Sequence, residues 1–232
     1  MNASSNALQR TAIICFLLVV AVLWATTSVS AGTIQSIPAP VGSGTGLGTV
    51  AVPAIFTLSP ANDDVAIAGV NDNNIFVPVK KFNQIGYIDI VFTVAPDNGV
   101  TEYNVFESVD NNTGTNWLGY EMSLGFGSGI GFSPSLAGDG LDFDAPFFLT
   151  PPTSSVMLNV VASEDLLTYS NGVHASGAES YQFRIDVPNL VGAVGAPATF
   201  TLRQVPITVP EPSTLVLLGM ALAGVMAYRS RG

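Results

Sequence analysis

Cysteine is almost missing from these 232 residues, with one at Cys15, and histidine is as scarce, with one at His174. Basic side chains are few as well, seven lysines and arginines against seventeen acids. Each shortage removes a class of chemistry. The cysteine sits in an apolar leader, so the body beyond it has no disulfide and no thiolate, and packing alone must hold it. One histidine cannot supply the imidazoles of a usual zinc hydrolase site. It could act as base for a serine nucleophile, but the chain has no G-x-S-x-G elbow, and "GFGSGIG" puts Ser128 directly between Gly127 and Gly129. His174, within "SNGVHASGAES", is therefore expected on an exposed loop without a catalytic role. Between Gly32 and Pro210 sixteen acids face four bases, a formal charge of −12 that excludes nucleic acid as a partner.

What is present first is an export signal. Met1 to Arg10 is polar with one positive side chain, Ala12 to Ala25 is a 14-residue apolar core, and Ser30 and Ala31 are small. That layout is a secretory signal peptide over residues 1–31, recognised by the Sec machinery and cut by signal peptidase before Gly32. A membrane-spanning helix needs about 20 apolar residues, more than this core holds. Ile14 stands where a lipoprotein signal wants a small residue, so Cys15 is not expected to carry a lipid.

Residues 32–208 are one domain's worth of chain. Residues 32–48, rich in Gly, Pro, Ser and Thr, read as a flexible lead-in whose alternating glycines match no nucleotide-binding spacing. Beyond it the period is two. Ile88, Ile90, Phe92 and Val94 form one apolar face, and Tyr181, Phe183, Ile185 and Val187 form another against Ser180, Gln182, Arg184 and Asp186. Weaker alternation marks 50–58, 65–70, 75–81, 100–109, 117–126, 156–162 and 198–205. Turns rich in Asp, Asn, Gly and Pro separate these runs, including Asp97-Asn98-Gly99 and Ser170-Asn171-Gly172. No body segment reads as helix. The expected fold is all-β, an antiparallel β-sandwich or jelly roll.

Two patches of the body invite a binding role. "GDGLDFDAP" offers Asp139, Asp142 and Asp144 within six residues, hard oxygens that could hold calcium, although the spacing is not that of an EF-hand loop. Asp142 and Asp144 would share one side of an extended chain. Trp117 and Tyr120, with Tyr87 and Tyr103, could offer flat faces to sugars, but residues 117 and 120 fall on opposite faces of a regular strand. Two carboxylates at a set distance would suffice for a glycoside hydrolase, and sixteen acids permit such a pair without predicting one.

The C-terminal stretch "VPEPSTLVLLGMALAGVMAYRSRG" carries the clearest signal. Pro210, Glu211 and Pro212 precede a charge-free run over 213–228, and Arg229 and Arg231 follow at once. As a helix those sixteen residues reach about 24 Å, short of a bilayer core of about 30 Å. The arginines orient the tail to the cytoplasm and the body outside. Triplet, apolar run and basic end together resemble the PEP-CTERM sorting signal over 209–232, and the segment "ESVDNNTGTNWLGYEMSLGFG" is similar to a strand, turn and strand found in the bodies of some proteins that carry it. The resemblance implies an exosortase as partner, an integral membrane protease of Gram-negative bacteria that make exopolysaccharide. It implies a transiently membrane-anchored precursor, cleavage near the triplet, and delivery of the body to the cell surface or extracellular matrix of a biofilm. No catalytic activity comes with it, and the body is expected to have a structural or interaction role without a cofactor.

Intact-mass analysis of protein recovered from exosortase-positive cells should give a species running from Gly32 to near Pro210. The same species in cells lacking the protease, or Arg231 retained in surface material, would contradict this topology.

Overall fold

The computed structural model describes residues 32–60, 62, 73–96, 99–144, 151–190 and 198–208. The leader, the expected strand at 65–70 and the C-terminal segment 209–232 lie outside them. The described chain is all-β, with thirteen strands and one 3-10 turn at Gly129–Gly131. In order, β1 is Gly32–Ser36, β2 Leu47–Val50, β3 Ala54–Phe56, β4 Asn74–Phe82 and β5 Ile88–Pro96. They are followed by β6 Thr101–Asn111, β7 Gly119–Phe126, β8 Ser133–Pro134 and β9 Thr153–Ser154. The last four are β10 Met157–Ala162, β11 Leu166–Gly172, β12 Gly177–Val187 and β13 Ala198–Ile207. No helix among the described residues is long and apolar enough to cross a membrane.

The strands form a seven-stranded sheet in the order β1-β5-β13-β7-β11-β10, with β8 on β7, and a six-stranded sheet in the order β2-β4-β6-β12-β9, with β3 on β4. Their inward faces share one core. Ile88, Ile90, Phe92 and Val94 lie in it from the first sheet, and Tyr181, Phe183, Ile185 and Val187 from the second, as their alternation requires. The second sheet is mixed, which the expectation of a wholly antiparallel fold missed. β4 runs parallel to β6, because β5 crosses to the other sheet between them and the chain returns in its original direction.

The lead-in is also more ordered than its composition suggests. Gly32 to Ile34 pairs with Pro96 to Val94, and the Ile34 N–H donates to the Tyr103 hydroxyl at 2.9 Å. Gly44 shows why glycine is used there: its φ is +129°, and a Cβ would fall 2.2 Å from the Tyr87 carbonyl oxygen. Two other boundaries moved. The run expected at 50–58 is interrupted, since β2 ends at Val50 and β3 begins only at Ala54, after Pro53, which has no N–H for a ladder. Ser170-Asn171-Gly172, expected as a turn, ends β11, with Asn171 in the left-handed region at φ 58°.

One irregularity decides what enters the core. Val77 faces Glu107 and Lys80 faces Val109 across the β4–β6 ladder, so Pro78 and Val79 together oppose Ser108. Such a bulge shifts the inward parity of the strand. Ile75 and Val77 point in, Pro78 and Val79 are exposed, and Lys80 and Phe82 point in again. The fully buried Lys80 Nζ lies 2.6 Å from Glu107 Oε2. Gln204 of β13 donates to the same oxygen at 3.1 Å, and Tyr120 of β7 donates to Gln204 Oε1 at 2.5 Å. The network therefore joins the two sheets.

A second ion pair fastens the first sheet. Fully buried Asp89 accepts from Arg203 Nε at 2.7 Å and Nη2 at 2.8 Å, and from the Gly129 N–H at 2.7 Å. The Arg203 guanidinium lies 4.2 Å from the Tyr87 ring centroid and 4.0 Å from that of Phe132. Asp89→Ala strands the arginine and should cost about 3–5 kcal/mol in urea unfolding; a loss below about 1 kcal/mol would contradict this account of the pair.

Candidate functional site

The aromatic residues first expected to contact sugar are interior. Trp117 and Tyr120 are both fully buried and stack with centroids 5.7 Å apart and planes 13° from parallel. They do not point to opposite faces because Trp117 precedes β7 and the alternation breaks at Leu118-Gly119, where residues 119 and 120 are both buried. Trp117 exchanges backbone hydrogen bonds with His174, each 3.0 Å, and donates its indole N–H to Thr113 Oγ1 at 3.2 Å. Asn111 organises the turn by accepting from the Thr113 N–H and hydroxyl while donating to the Thr115 and His174 carbonyls. Tyr103 is buried as well, and Tyr87 is covered by Arg203.

His174 is not on an exposed loop. It is fully buried against Trp117, with Nδ1 3.0 Å from the Tyr181 hydroxyl and Nε2 3.0 Å from the Gly177 carbonyl oxygen. Burial holds its pKa below the ordinary value for histidine. The Gly/Ser-rich surroundings concealed this, because the contact is made across a bridge to residue 117.

The three aspartates do not converge, and among the described residues no three His, Cys, Asp or Glu side chains are grouped to hold a metal ion. Asp139 is exposed and shapes its own turn, accepting from the Ser135 hydroxyl and from the Leu136 and Leu141 N–H groups. Asp142 bridges to Asp186 and accepts from the Asp144 N–H at 2.8 Å. Asp144 has φ 51°, a left-handed turn that breaks the extended alternation expected to align it with Asp142. Burial, with Glu164 and Asp165 adding repulsion, raises the Asp142 pKa to about 6 against hydrogen bonds from Asp144 and Asp186.

Among the described residues, a concave feature with ligand-like lining is on the outer face of the six-stranded sheet. A groove of about 460 Å³ lies over β4, β6, β9 and β12. Phe76 and Phe106 stack along it at 5.1 Å with planes 13° apart, and Phe56 meets Phe76 edge-on at 5.9 Å. Phe76 remains 40% exposed. Ser108, Thr153, Ser155, Ser180 and Gln182 line the same groove, and the Ser155 hydroxyl is held by Glu179 and the Ser180 N–H. The single acid on the lining, Glu107, directs its carboxylate to Lys80 in the core. An aromatic ledge beside a row of hydroxyls can stack on a flat apolar face and hydrogen-bond a polar rim. The alternation of β4 and β6 places both rings outward, a signal available in the sequence once the strands are paired.

Pro210, Glu211, Pro212, Arg229, Arg231 and the apolar run 213–228 lie outside the described residues. The last described strand, β13, ends at Ile207, and a PEP-CTERM protein-sorting motif matches residues 208–231. No curated protein and no solved structure was found with significant similarity to the chain.

Because the Asp142 pKa is raised in the folded state from 3.8 to about 6, its contribution to stability is full below its ordinary value and is lost as pH rises through about 6. Asp142→Asn keeps an oxygen for the Asp144 N–H and removes the charge. It should raise the melting temperature at pH 7 relative to wild type, and the difference should vanish near pH 4; a variant that melts lower at pH 7 would show that the ionised carboxylate is favourable.

Proposed function

Starting from a chain whose sorting motif implies export, a membrane-anchored precursor and processing by an exosortase, we propose that the body is a non-catalytic component of the cell surface or extracellular matrix that binds exopolysaccharide. Support for the sugar comes from the outer groove, where stacked Phe76 and Phe106 share the lining with Ser and Thr residues. Sugar rings offer C–H faces to aromatic side chains and hydroxyl rims to polar ones, and both partners are present on one sheet. Cleavage would need a second carboxylate across the bound sugar. The lining supplies one, and it is committed to Lys80.

Charge narrows the class of polymer. The body is acidic by twelve charges, and each of its four bases already faces an acid: Lys80 with Glu107, Lys81 with Asp110, Arg184 with Glu102 and Arg203 with Asp89. A uronate-rich chain would meet like charge. The groove therefore suits a neutral glycan. Placement of the motif directly after β13 also supports the processing scheme, since a cut near Pro210 leaves every described strand intact.

Purified body should be retained saturably on neutral exopolysaccharide. A Phe76→Ala, Phe106→Ala double variant should bind about tenfold more weakly, equivalent to about 1.4 kcal/mol, with an unchanged far-ultraviolet spectrum. Equal retention of wild type and double variant would remove the groove from the account, and no retention of either would remove the polysaccharide.

A further inference from the structure

The buried network around Lys80 contains more than an ion pair. An amine on β4, a carboxylate on β6, a primary amide on β13 and a phenol on β7 meet in one buried place, with Lys80, Gln204 and Tyr120 fully buried and Glu107 4% exposed. Lys80 Nζ and Gln204 Nε2 both bond the same Glu107 oxygen, at 2.6 and 3.1 Å, so amine and amide are at most two hydrogen-bond lengths apart. Tyr120 donates to the amide oxygen at 2.5 Å. We propose that Lys80 and Gln204 become joined by an intramolecular amide, the lysine nitrogen displacing the glutamine side-chain nitrogen as ammonia.

Each atom of the step has a place. Glu107 takes a proton from the Lys80 ammonium, leaving a neutral amine whose lone pair attacks Gln204 Cδ. Charge then develops on Gln204 Oε1, where the Tyr120 hydroxyl already donates; a preorganised donor at such an oxygen is worth about 10²–10³ in rate. Glu107 returns its proton to Nε2 and removes a second one from Nζ. The Cδ–Nε2 bond breaks, ammonia leaves, and the Nζ–Cδ bond remains, with Glu107 holding one proton at the end. No oxidant, metal or second reactant is needed.

The surroundings favour this chemistry over a static ion pair. Burial pushes the Lys80 amine below its ordinary pKa against the opposing pull of Glu107, and it pushes the Tyr120 phenol well above its own. The first shift lowers the cost of freeing the amine as a nucleophile, and the second keeps the phenol a hydrogen-bond donor. Phe82, Trp117 and Tyr181 pack around Tyr120, excluding the water that would hydrolyse the amide instead. The product would tie the six-stranded sheet to the seven-stranded one, between strands whose residues are 124 positions apart in a body without cysteine.

The test is the mass of the folded, exported protein followed by peptide mapping. Expected are a deficit of one ammonia and a single linked peptide containing Lys80 and Gln204. A full sequence mass would overturn the proposal, as would a deficit of one water mapped to Lys80 and Glu107. A succinimide at Asn98-Gly99 or Asn171-Gly172 has the same deficit as the amide, and mapping it there without a linked peptide would also overturn it. Tyr120→Phe keeps the ring and removes the donor. It should form the link at least tenfold more slowly after refolding, and an unchanged rate would overturn the role assigned to Tyr120.

Discussion

Lys80 and Glu107 meet 2.6 Å apart where the two sheets touch, with neither side chain open to water. Removing both ions from solvent costs several kcal/mol each, and attraction offsets that only when the remaining polar atoms are also held. Gln204 and Tyr120 provide part of that support from the opposite sheet. The arrangement constrains much of the interior. β4 must bulge at Pro78 and Val79 to turn Lys80 inward, β6 must keep its parallel register beside it, and β13 and β7 must present their polar groups at matching heights. Around this polar centre Phe82, Trp117, Tyr120, Tyr169, Tyr181 and His174 form a contiguous ring-against-ring cluster.

The scarcity of bases follows the same logic. Of four in the body, three sit largely inside: Lys80 with Glu107, Arg184 with Glu102, and Arg203 with Asp89. Only the Lys81 side chain, 37% exposed, leaves a cation at the surface, and it faces Asp110. Positive charge is thus spent on joining strands, and the exterior is left acidic. Such a surface discourages self-association and contact with anionic polymers. It leaves the aromatic ledge on β4 and β6 as the distinctive feature of the outer sheet.

Strands with strict alternation were legible because the pleat puts every second residue on one side. β5 and β12 bury the residues that their period selects. Where a local break shifts the parity, the same reasoning fails. It could not show Lys80 pointing inward past the bulge, nor Trp117 and Tyr120 lying on one side across Leu118-Gly119. Composition misled in a second way. Glycine and proline in residues 32–48 suggested a loose segment, yet they permit the close backbone approach at Gly44. The Gly/Ser-rich setting of His174 likewise hid a bridge to Trp117 that the linear chain does not display.

By itself the sequence determined that this protein is exported and processed by an exosortase, and it determined the outline of its body. A Pro-Glu-Pro triplet, an apolar run and terminal arginines make up a linear sorting motif, legible in the order of residues alone. Period-two hydrophobicity likewise specifies β-structure locally. Only the tertiary structure decided which polar groups meet. Glu107 and Gln204 are 97 residues apart in the chain, and their contact depends on strand order, register and one bulge together. The groove has the same origin, since Phe76 and Phe106 become neighbours only through the parallel pairing of β4 with β6.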